Sequence, residues 1–188
     1  MFKGYVKPTL ILTVITVTVA VLLAFTHSLT SGKLNQNNTD EKYLEANLGI
    51  YNSVLPSAED FILISREDIG TNEGVFMVAE GRTGDVKCGY VITANGKGYS
   101  SVPIQMVVGI SLDGLIQGVE VLSLSETPGI GDGIKDRTFL DKFIDSDFNY
   151  FKDGNVQDKV DAVTGATYSS KGVFKAIESA LEKYEEMR

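Results

Sequence analysis

Histidine, cysteine and tryptophan are scarce in this 188-residue chain, which has one histidine, one cysteine and no tryptophan. A single cysteine excludes a disulfide within the chain. With only one cysteine and one histidine, the chain cannot form a metal cluster from those residue types. The histidine, His27, lies at the end of an apolar segment, where a serine–histidine–acid triad is not expected. Basic residues are outnumbered, at 17 Lys+Arg against 25 Asp+Glu. A nucleic-acid-binding protein is therefore not expected, because that class carries a basic surface.

Charged side chains are absent from Pro8 to Gly32, and this segment is mostly apolar. About 20 apolar residues are enough to cross the hydrocarbon core of a membrane. A cleaved signal peptide is the alternative, but its apolar region is only about 7–15 residues long and ends at a small-x-small cleavage site. Residues 26–29, Thr-His-Ser-Leu, are a poor match to such a site. We therefore predict an uncleaved transmembrane helix within residues 1–32.

The charges that flank the apolar segment indicate its orientation. Lys3 and Lys7 precede it, and all 25 acidic residues follow residue 32. Positively charged flanks favour the cytoplasmic side. We predict a single-pass protein of the cell (inner) membrane, with a cytoplasmic N-terminus and an extracytoplasmic domain. The polar stretch 33–40 is predicted to be a linker, which leaves residues 41–188 for that domain.

The outer part contains segments rich in valine, isoleucine and tyrosine, separated by turn residues. Four of them predict strands: Gly74–Glu80, Val86–Ala94, Val102–Ser111 and Leu115–Ser123. The pairs Asn95-Gly96 and Asp113-Gly114 are typical of tight hairpins between antiparallel strands.

Apolar residues at helical spacing predict three helices. One covers Glu41–Tyr51, a second follows Asp136 with Phe139, Leu140, Phe143 and Ile144 on one face, and the last covers Ser170–Met187. The outer part is therefore predicted to be one α+β domain, with an antiparallel sheet and flanking helices.

Hydroxyl side chains cluster just before the last predicted helix, at Thr164, Thr167, Ser169 and Ser170. The start of a helix presents unpaired N–H groups and the positive end of the helix dipole, which suits a phosphate group. The alternative is that these hydroxyls only cap the helix. Spacing alone favours capping.

The segment from Asp161 to Ser169, Asp-Ala-Val-Thr-Gly-Ala-Thr-Tyr-Ser, resembles a flavinylation motif. That motif belongs to the FMN-binding domain family of Rnf complexes and Na+-translocating NADH:quinone reductases. In the family, the last threonine of the [Ser/Thr]-Gly-Ala-Thr core carries FMN through a phosphoester bond, and the matching residue here is Thr167. Residues 126–131 resemble the family's Glu-Thr-Pro-Gly-Leu-Gly loop, and residues 96–99 its Gly-Lys-Gly-Tyr segment.

The resemblance covers most of residues 75–181 and is strongest to the G subunits of Rnf complexes. It implies a redox subunit of an ion-translocating oxidoreductase, which carries electrons on covalent FMN and does not catalyse a reaction alone. Such a complex couples electron flow between reduced ferredoxin and NAD+ to Na+ or H+ transport. The implied partners are the other membrane subunits of the complex and a Mg-dependent flavin transferase that uses FAD.

The resemblance also implies further FMN contacts. These are Thr164, Gly165, Ala166, Ser169, Ser170 and Lys171 at the helix start, Glu126, Thr127, Pro128 and Gly129 in the preceding loop, and Tyr99. Lys171 would add positive charge near the phosphate, and Glu126 or Thr127 would hydrogen-bond the flavin. Gly129 and Gly131 would let the backbone approach a flat ring. For Tyr168, core packing is favoured over flavin packing.

Two alternatives stay open: the C subunit of a Na+-translocating NADH:quinone reductase, and a membrane-tethered binding domain that is never flavinylated. Two weaker motifs are rejected. The glycines at 129, 131 and 133 do not have the Gly-x-Gly-x-x-Gly spacing of a dinucleotide site. Residues 153–157 lack the glycine and glutamate of a calcium loop.

Overall fold

A computed structural model provides the structure of the chain and describes residues 6–126, 131–152 and 156–188. The chain divides into two compact units, with the boundary between Tyr43 and Leu44. The first unit is formed by helix α1, Val6–Val54, which continues into the second unit and is 49 residues long. The predicted linker at 33–40 lies inside α1, so its backbone is helical. None of the described helices combines the length and apolarity needed to cross a membrane.

The second unit contains a five-stranded antiparallel sheet in which each strand pairs with the next along the chain. The strands are β1 Asp60–Arg66, β2 Gly74–Thr83, β3 Val86–Gly96, β4 Ile104–Ser111 and β5 Ile116–Ser123. The four predicted strands correspond to β2–β5, and the antiparallel arrangement is confirmed. The edge strand β1 was not predicted.

One of the two predicted hairpin pairs forms a turn. Gly114 connects β4 to β5 with a φ of 88°, a left-handed conformation that favours glycine. Asn95 and Gly96 instead belong to β3, where they pair with Gln105 and Ile104. The side-chain amide of Asn95 donates to the carbonyl oxygens of residues 70 and 72, both at 3.3 Å. The hairpin predicted at Asn95-Gly96 is wrong, because this side chain fastens a loop from another part of the chain.

Short helices follow the sheet before one long final helix. They are a 3-10 helix Gly131–Lys135, α2 Arg137–Leu140, a 3-10 helix Asp141–Phe143, α3 Phe148–Lys152 and α4 Val156–Lys159. The helix predicted after Asp136 is therefore divided, and Ile144 of its expected apolar face is 39% exposed. The final helix, α5, covers Thr167–Met187.

Helix α5 packs along one face of the sheet and forms the main core. Its inward residues are all buried, as its spacing predicts: Val173, Phe174, Ile177, Ala180, Leu181 and Tyr184. They join buried residues of β3 and β4, including Ile92, Met106 and Val108. Burying one such apolar side chain stabilises the fold by about 1.5–3 kcal/mol. This packing fixes where α5 begins, and the candidate site lies there.

The last turns of α1 pack within the second unit, against β4 and β5. Tyr51, Val54 and Leu55 are fully buried. Gly109 on β4 pairs with Gly118 on β5, and a Cβ atom at Gly109 would overlap the carbonyl oxygen of Val54. Side chains at these two positions would push the end of α1 away from the sheet.

Candidate functional site

Helix α5 begins immediately after a sharp turn. Gly165 has a φ of 80°, which L-residues with side chains rarely adopt. The cap position is occupied by Ala166, and no side chain caps the helix. The first bond of the helix runs from the Ser170 N–H to the Ala166 carbonyl oxygen at 2.8 Å. The N–H groups of residues 167–169 have no acceptor among the described residues, so this end of α5 suits an anion.

The four hydroxyl residues near this helix start have different surroundings. Ser169 and Ser170 are buried, whereas Thr164 and Thr167 are exposed. The Ser169 hydroxyl donates to Glu126 Oε2 at 2.8 Å. The Ser170 hydroxyl accepts the N–H of Val163 at 3.0 Å. Neither serine acts as a cap, and Thr167 is the exposed residue of these four that lies within the first turn.

A cleft of about 550 Å³ opens at the start of α5. Its lining consists of Tyr99, Glu126, Gly131, Gly165, Ala166, Thr167, Tyr168 and Ser169. The cleft falls in the size range of small-molecule sites, about 300–1,000 Å³. Three segments that are distant in sequence thus meet at one place.

Six of the twelve predicted contact residues line this cleft. Tyr99, Glu126 and Ser169 line it together with the turn at 165–167. Thr127, Pro128 and Gly129 lie outside the described residues. The cleft therefore brings together residues from all three predicted segments, and Thr164, Ser170 and Lys171 lie outside its lining.

Two tyrosine rings stand at the mouth of the cleft. Tyr99 is 78% exposed and Tyr168 is 66% exposed. Their ring centroids are 6.2 Å apart, with an angle of 57° between the planes. The core packing favoured for Tyr168 is wrong, because its ring faces solvent beside Tyr99. Exposed aromatic faces at a cleft suit a flat aromatic ligand.

Both carboxylate oxygens of Glu126 accept hydrogen bonds from other residues of the protein. Oε1 accepts the N–H of Ser100 at 3.1 Å, and Oε2 accepts the hydroxyl of Ser169 at 2.8 Å. The expected hydrogen bond from Glu126 to a flavin therefore competes with two existing bonds. The sequence analysis does not predict the hydrogen bond from Ser100. Its only signal in the sequence is the glycine-rich segment that precedes Ser100.

Close backbone contacts hold the start of α5 against the end of β3. A Cβ atom at Gly96 would overlap the carbonyl oxygen of Gly172. A Cβ atom at Gly172 would lie 3.0 Å from the backbone nitrogen of Gly98. Glycine is needed on both sides of this crossing because the two backbones touch.

Two charged groups outside the lining of the cleft are exposed. Lys171 and Asp161 both lie at the surface. Across the parts of the chain that the structure describes, no group of three or more His, Cys, Asp or Glu side chains is placed to hold a metal ion.

Comparison with known proteins identifies the family of this chain. The FMN-binding domain family matches residues 98–182, a range that contains every residue lining the cleft. The G subunit of the ion-translocating oxidoreductase complex of Methanosarcina acetivorans is 32% identical, over 96% of this chain and 94% of its own length. This chain belongs to the family of G subunits of ion-translocating oxidoreductase complexes.

Other members of the G-subunit family align over similar lengths. The G subunit of the Na+-translocating ferredoxin:NAD+ oxidoreductase complex of Acetobacterium woodii is 28% identical, over 99% of this chain and 94% of its own. A crystal structure of NqrC from Shewanella oneidensis is 26% identical with a TM-score of 0.46, and the match covers 58% of this chain and 61% of that one. The resemblance of the sequence motifs to the family of the G subunits is confirmed.

The cleft of this G-subunit family member has the groups that FMN requires. Three N–H groups without acceptors among the described residues, and the exposed Thr167 hydroxyl, suit the phosphate end. The rings of Tyr99 and Tyr168 suit the flat ring system. The residues present therefore fit FMN.

Proposed function

We propose that this chain is the electron-transferring G subunit of a membrane-bound ferredoxin:NAD+ oxidoreductase (Rnf) complex that translocates ions. It carries electrons on FMN, which is joined through a phosphoester to Thr167. The observation that carries the proposal is the position of Thr167, whose hydroxyl is exposed in the first turn of an uncapped helix and lines the cleft.

The phosphoester forms by transfer of FMN from FAD, catalysed by a separate Mg-dependent flavin transferase. Thr167 Oγ1 bonds to the phosphorus of the FMN half, the phosphorus–oxygen bond to the AMP half breaks, and AMP leaves. The hydroxyl proton passes to a base of the transferase. A threonine hydroxyl needs such a base. Glu126, whose carboxylate lines the cleft, already accepts two hydrogen bonds. This chain is therefore the substrate of the attachment.

The residues of the cleft hold the attached group. The N–H groups of residues 167–169 stabilise the remaining phosphate charge at the positive end of the α5 dipole. Lys171, one helical turn after Thr167, adds positive charge nearby. Tyr99 and Tyr168 pack against the ring system and limit its contact with water. Bound FMN supplies the redox chemistry, and the protein sets its position and electrostatic surroundings.

Residues 1–32 form the membrane anchor. The large apolar side chains described between Ile11 and Phe25 are all at least 50% exposed. Such a continuous apolar surface is typical of a segment that lipid or a partner helix covers. The N-terminus lies in the cytoplasm and the FMN domain on the extracytoplasmic side. The anchor packs against other membrane subunits of the complex, and ferredoxin and NAD+, both cytoplasmic, bind elsewhere in it.

The test is the intact mass of the full chain, produced together with a flavin transferase. We expect a gain equal to FMN less one water, and a fluorescent band on a denaturing gel under ultraviolet light. Thr167→Ala should abolish both signals, and Thr167→Ser, which keeps a hydroxyl, should retain them. Thr164→Ala is the matched control, since Thr164 is also exposed but does not line the cleft; it should weaken attachment less. Equal fluorescence from wild type and Thr167→Ala would refute the site.

A further inference from the structure

Glu126 connects the separate segments that form the mouth of the cleft. Its Oε1 accepts the N–H of Ser100, next to Tyr99, at 3.1 Å. Its Oε2 accepts the hydroxyl of Ser169, two residues after Thr167, at 2.8 Å. One carboxylate therefore joins the turn that carries the first tyrosine to the helical turn that carries the attachment threonine.

The space around Glu126 depends on two glycines. A Cβ atom at Gly131 would lie 2.6 Å from the Cβ of Glu126 and 3.0 Å from the Ser169 hydroxyl oxygen. A Cβ atom at Gly98 would overlap Glu126 Oε1. Both glycines thus leave room for this side chain to pass between the loop, the turn and the helix.

The carboxylate of Glu126 has no cationic partner among the described residues, where no lysine or arginine nitrogen is paired with it. Its charge is compensated by the two hydrogen-bond donors. Hydrogen bonds to a charged group are stronger than neutral ones. A side chain with only one oxygen acceptor, such as glutamine, cannot reproduce both bonds without reversing one of them.

We propose that Glu126 is a positioning residue for flavin attachment and is not a ligand of the flavin. Its carboxylate holds the Tyr99 turn and the first turn of α5 at their observed separation. In this arrangement the Ser169 hydroxyl is engaged inside the protein, and the Thr167 hydroxyl faces the cleft where the transferase reaches it. This inference rests on the proposed attachment at Thr167.

The first measurement uses the full chain produced without a transferase, so that no flavin is present. Amide hydrogen exchange at Ser100 reports on the bond to Glu126. We expect Glu126→Ala to accelerate this exchange by roughly 10-fold or more, because a bond to a charged acceptor is lost. Glu126→Gln should give a smaller acceleration. Glu80→Gln is the matched control, since Glu80 is also half-buried but is bound to Arg82 and Lys87 away from the cleft.

The second measurement is the initial rate of FMN attachment by a limiting amount of transferase, followed by intact mass. We expect the rate to fall in the order wild type, Glu126→Gln, Glu126→Ala, and to fall in Ser169→Ala as well. The final extent of attachment should approach that of wild type at long times, because Thr167 is still present. If Glu126→Ala does not fold, Glu126→Gln and Ser169→Ala carry the test alone.

The outcomes separate the two proposals. Wild type that gains no FMN overturns the proposed function, and the inference with it. Wild type that gains FMN, with attachment rates in the Glu126 and Ser169 variants equal to that of Glu80→Gln, overturns only the positioning role. Faster exchange at Ser100 with an unchanged attachment rate also overturns it, because Glu126 would then only support the local fold.

Discussion

The two ends of helix α5 are held in opposite ways. At its start, Thr167 and Tyr168 are exposed and no side chain caps the helix. Near its end, Tyr184 is 2% exposed and its hydroxyl donates to the carbonyl oxygen of Leu112 at 2.7 Å. The Tyr184 ring also meets the edge of Tyr90, with centroids 5.9 Å apart. Packing along the helix and at its far end therefore leaves the start available for a ligand.

The outward face of α5 contributes little to the difference between the two ends of the helix. Lys175 pairs with Glu178 at 2.8 Å, and Lys183 pairs with Glu186 at 3.0 Å. Exposed pairs of this kind contribute about 0.2–1 kcal/mol each. The position of the helix start is thus determined by the buried face. Three substitutions test this conclusion, and two further substitutions serve as the contrast and the control.

The largest effect is expected from Phe174→Ala, two turns into the helix. Phe174 is 4% exposed and packs against Phe139 and Phe143, with ring centroids 6.1 and 5.9 Å away. Its removal should lower the free energy of unfolding in urea by about 3–5 kcal/mol. Attachment of FMN should fall as well, because the helix start is no longer fixed.

Tyr168→Ala is the contrast for Phe174 on the same helix. Tyr168 is 66% exposed, so its loss should change the free energy of unfolding by less than about 0.5 kcal/mol. Equal destabilisation by both substitutions would contradict the conclusion that buried packing positions the helix.

A smaller effect is expected from Gly96→Ala, where a Cβ atom would overlap the backbone of α5 at Gly172. The helix start must move away from β3, which should cost about 1–3 kcal/mol of unfolding free energy. Gly49→Ala is the control, since nothing lies within 4 Å of a Cβ atom there. In a helix this change should stabilise by about 0.5–1 kcal/mol. Urea unfolding of both variants gives the comparison, and the same sign for both would count against it.

Among the three destabilising substitutions, the smallest effect is expected at the far end, from Tyr184→Phe. Loss of the hydrogen bond to Leu112 should cost about 0.5–1.5 kcal/mol. Burial raises the pKa of Tyr184 above its ordinary value of 10.0, although Arg188 acts in the opposite direction. The resulting stability is fully present below pH 10.0 and is lost as the pH rises through the higher pKa of the folded state.

Unfolding measured between neutral and alkaline pH tests the contribution of Tyr184. Stability should decline less steeply above pH 10.0 in Tyr184→Phe than in wild type. Attachment of FMN at the opposite end of the helix should be unchanged. An identical alkaline decline in both proteins would show that Tyr184 does not contribute to it.

Sequence patterns predict the helices and strands that depend on residues close together in the chain. The apolar spacing of α5 gave its buried face, and the valine-rich segments gave β2–β5. The prediction omits strand β1, although residues 61–64 at its centre are as apolar as the predicted strands; its Ile62 and Ile64 are exposed at the sheet edge. The Asn95-Gly96 pair indicates a turn, because no local pattern shows that the partners of Asn95 are residues 70 and 72.

In the candidate site, too, features that depend on neighbouring residues are predictable and contacts between distant residues are not. The motif around Thr167 is contiguous, so the sequence alone is enough to propose Thr167 as the attachment residue. The bonds of Glu126 join residues 26 and 43 positions apart, and no local pattern predicts such contacts. For Tyr168 the sequence favours core packing over flavin packing, because the helical stripe, which begins at Val173, does not determine which way the first turn faces.

The assembly of the cleft from three distant segments also has a thermodynamic consequence. The unfolded chain has no such cleft, so an occupant favours the native state by linkage, about 2.7 kcal/mol at one hundred times its dissociation constant. A tethered occupant does not diffuse away, and its effective concentration beside the two tyrosines stays high however dilute the protein becomes. Once tethered, a ring that binds these tyrosines only weakly would therefore still stabilise the folded domain.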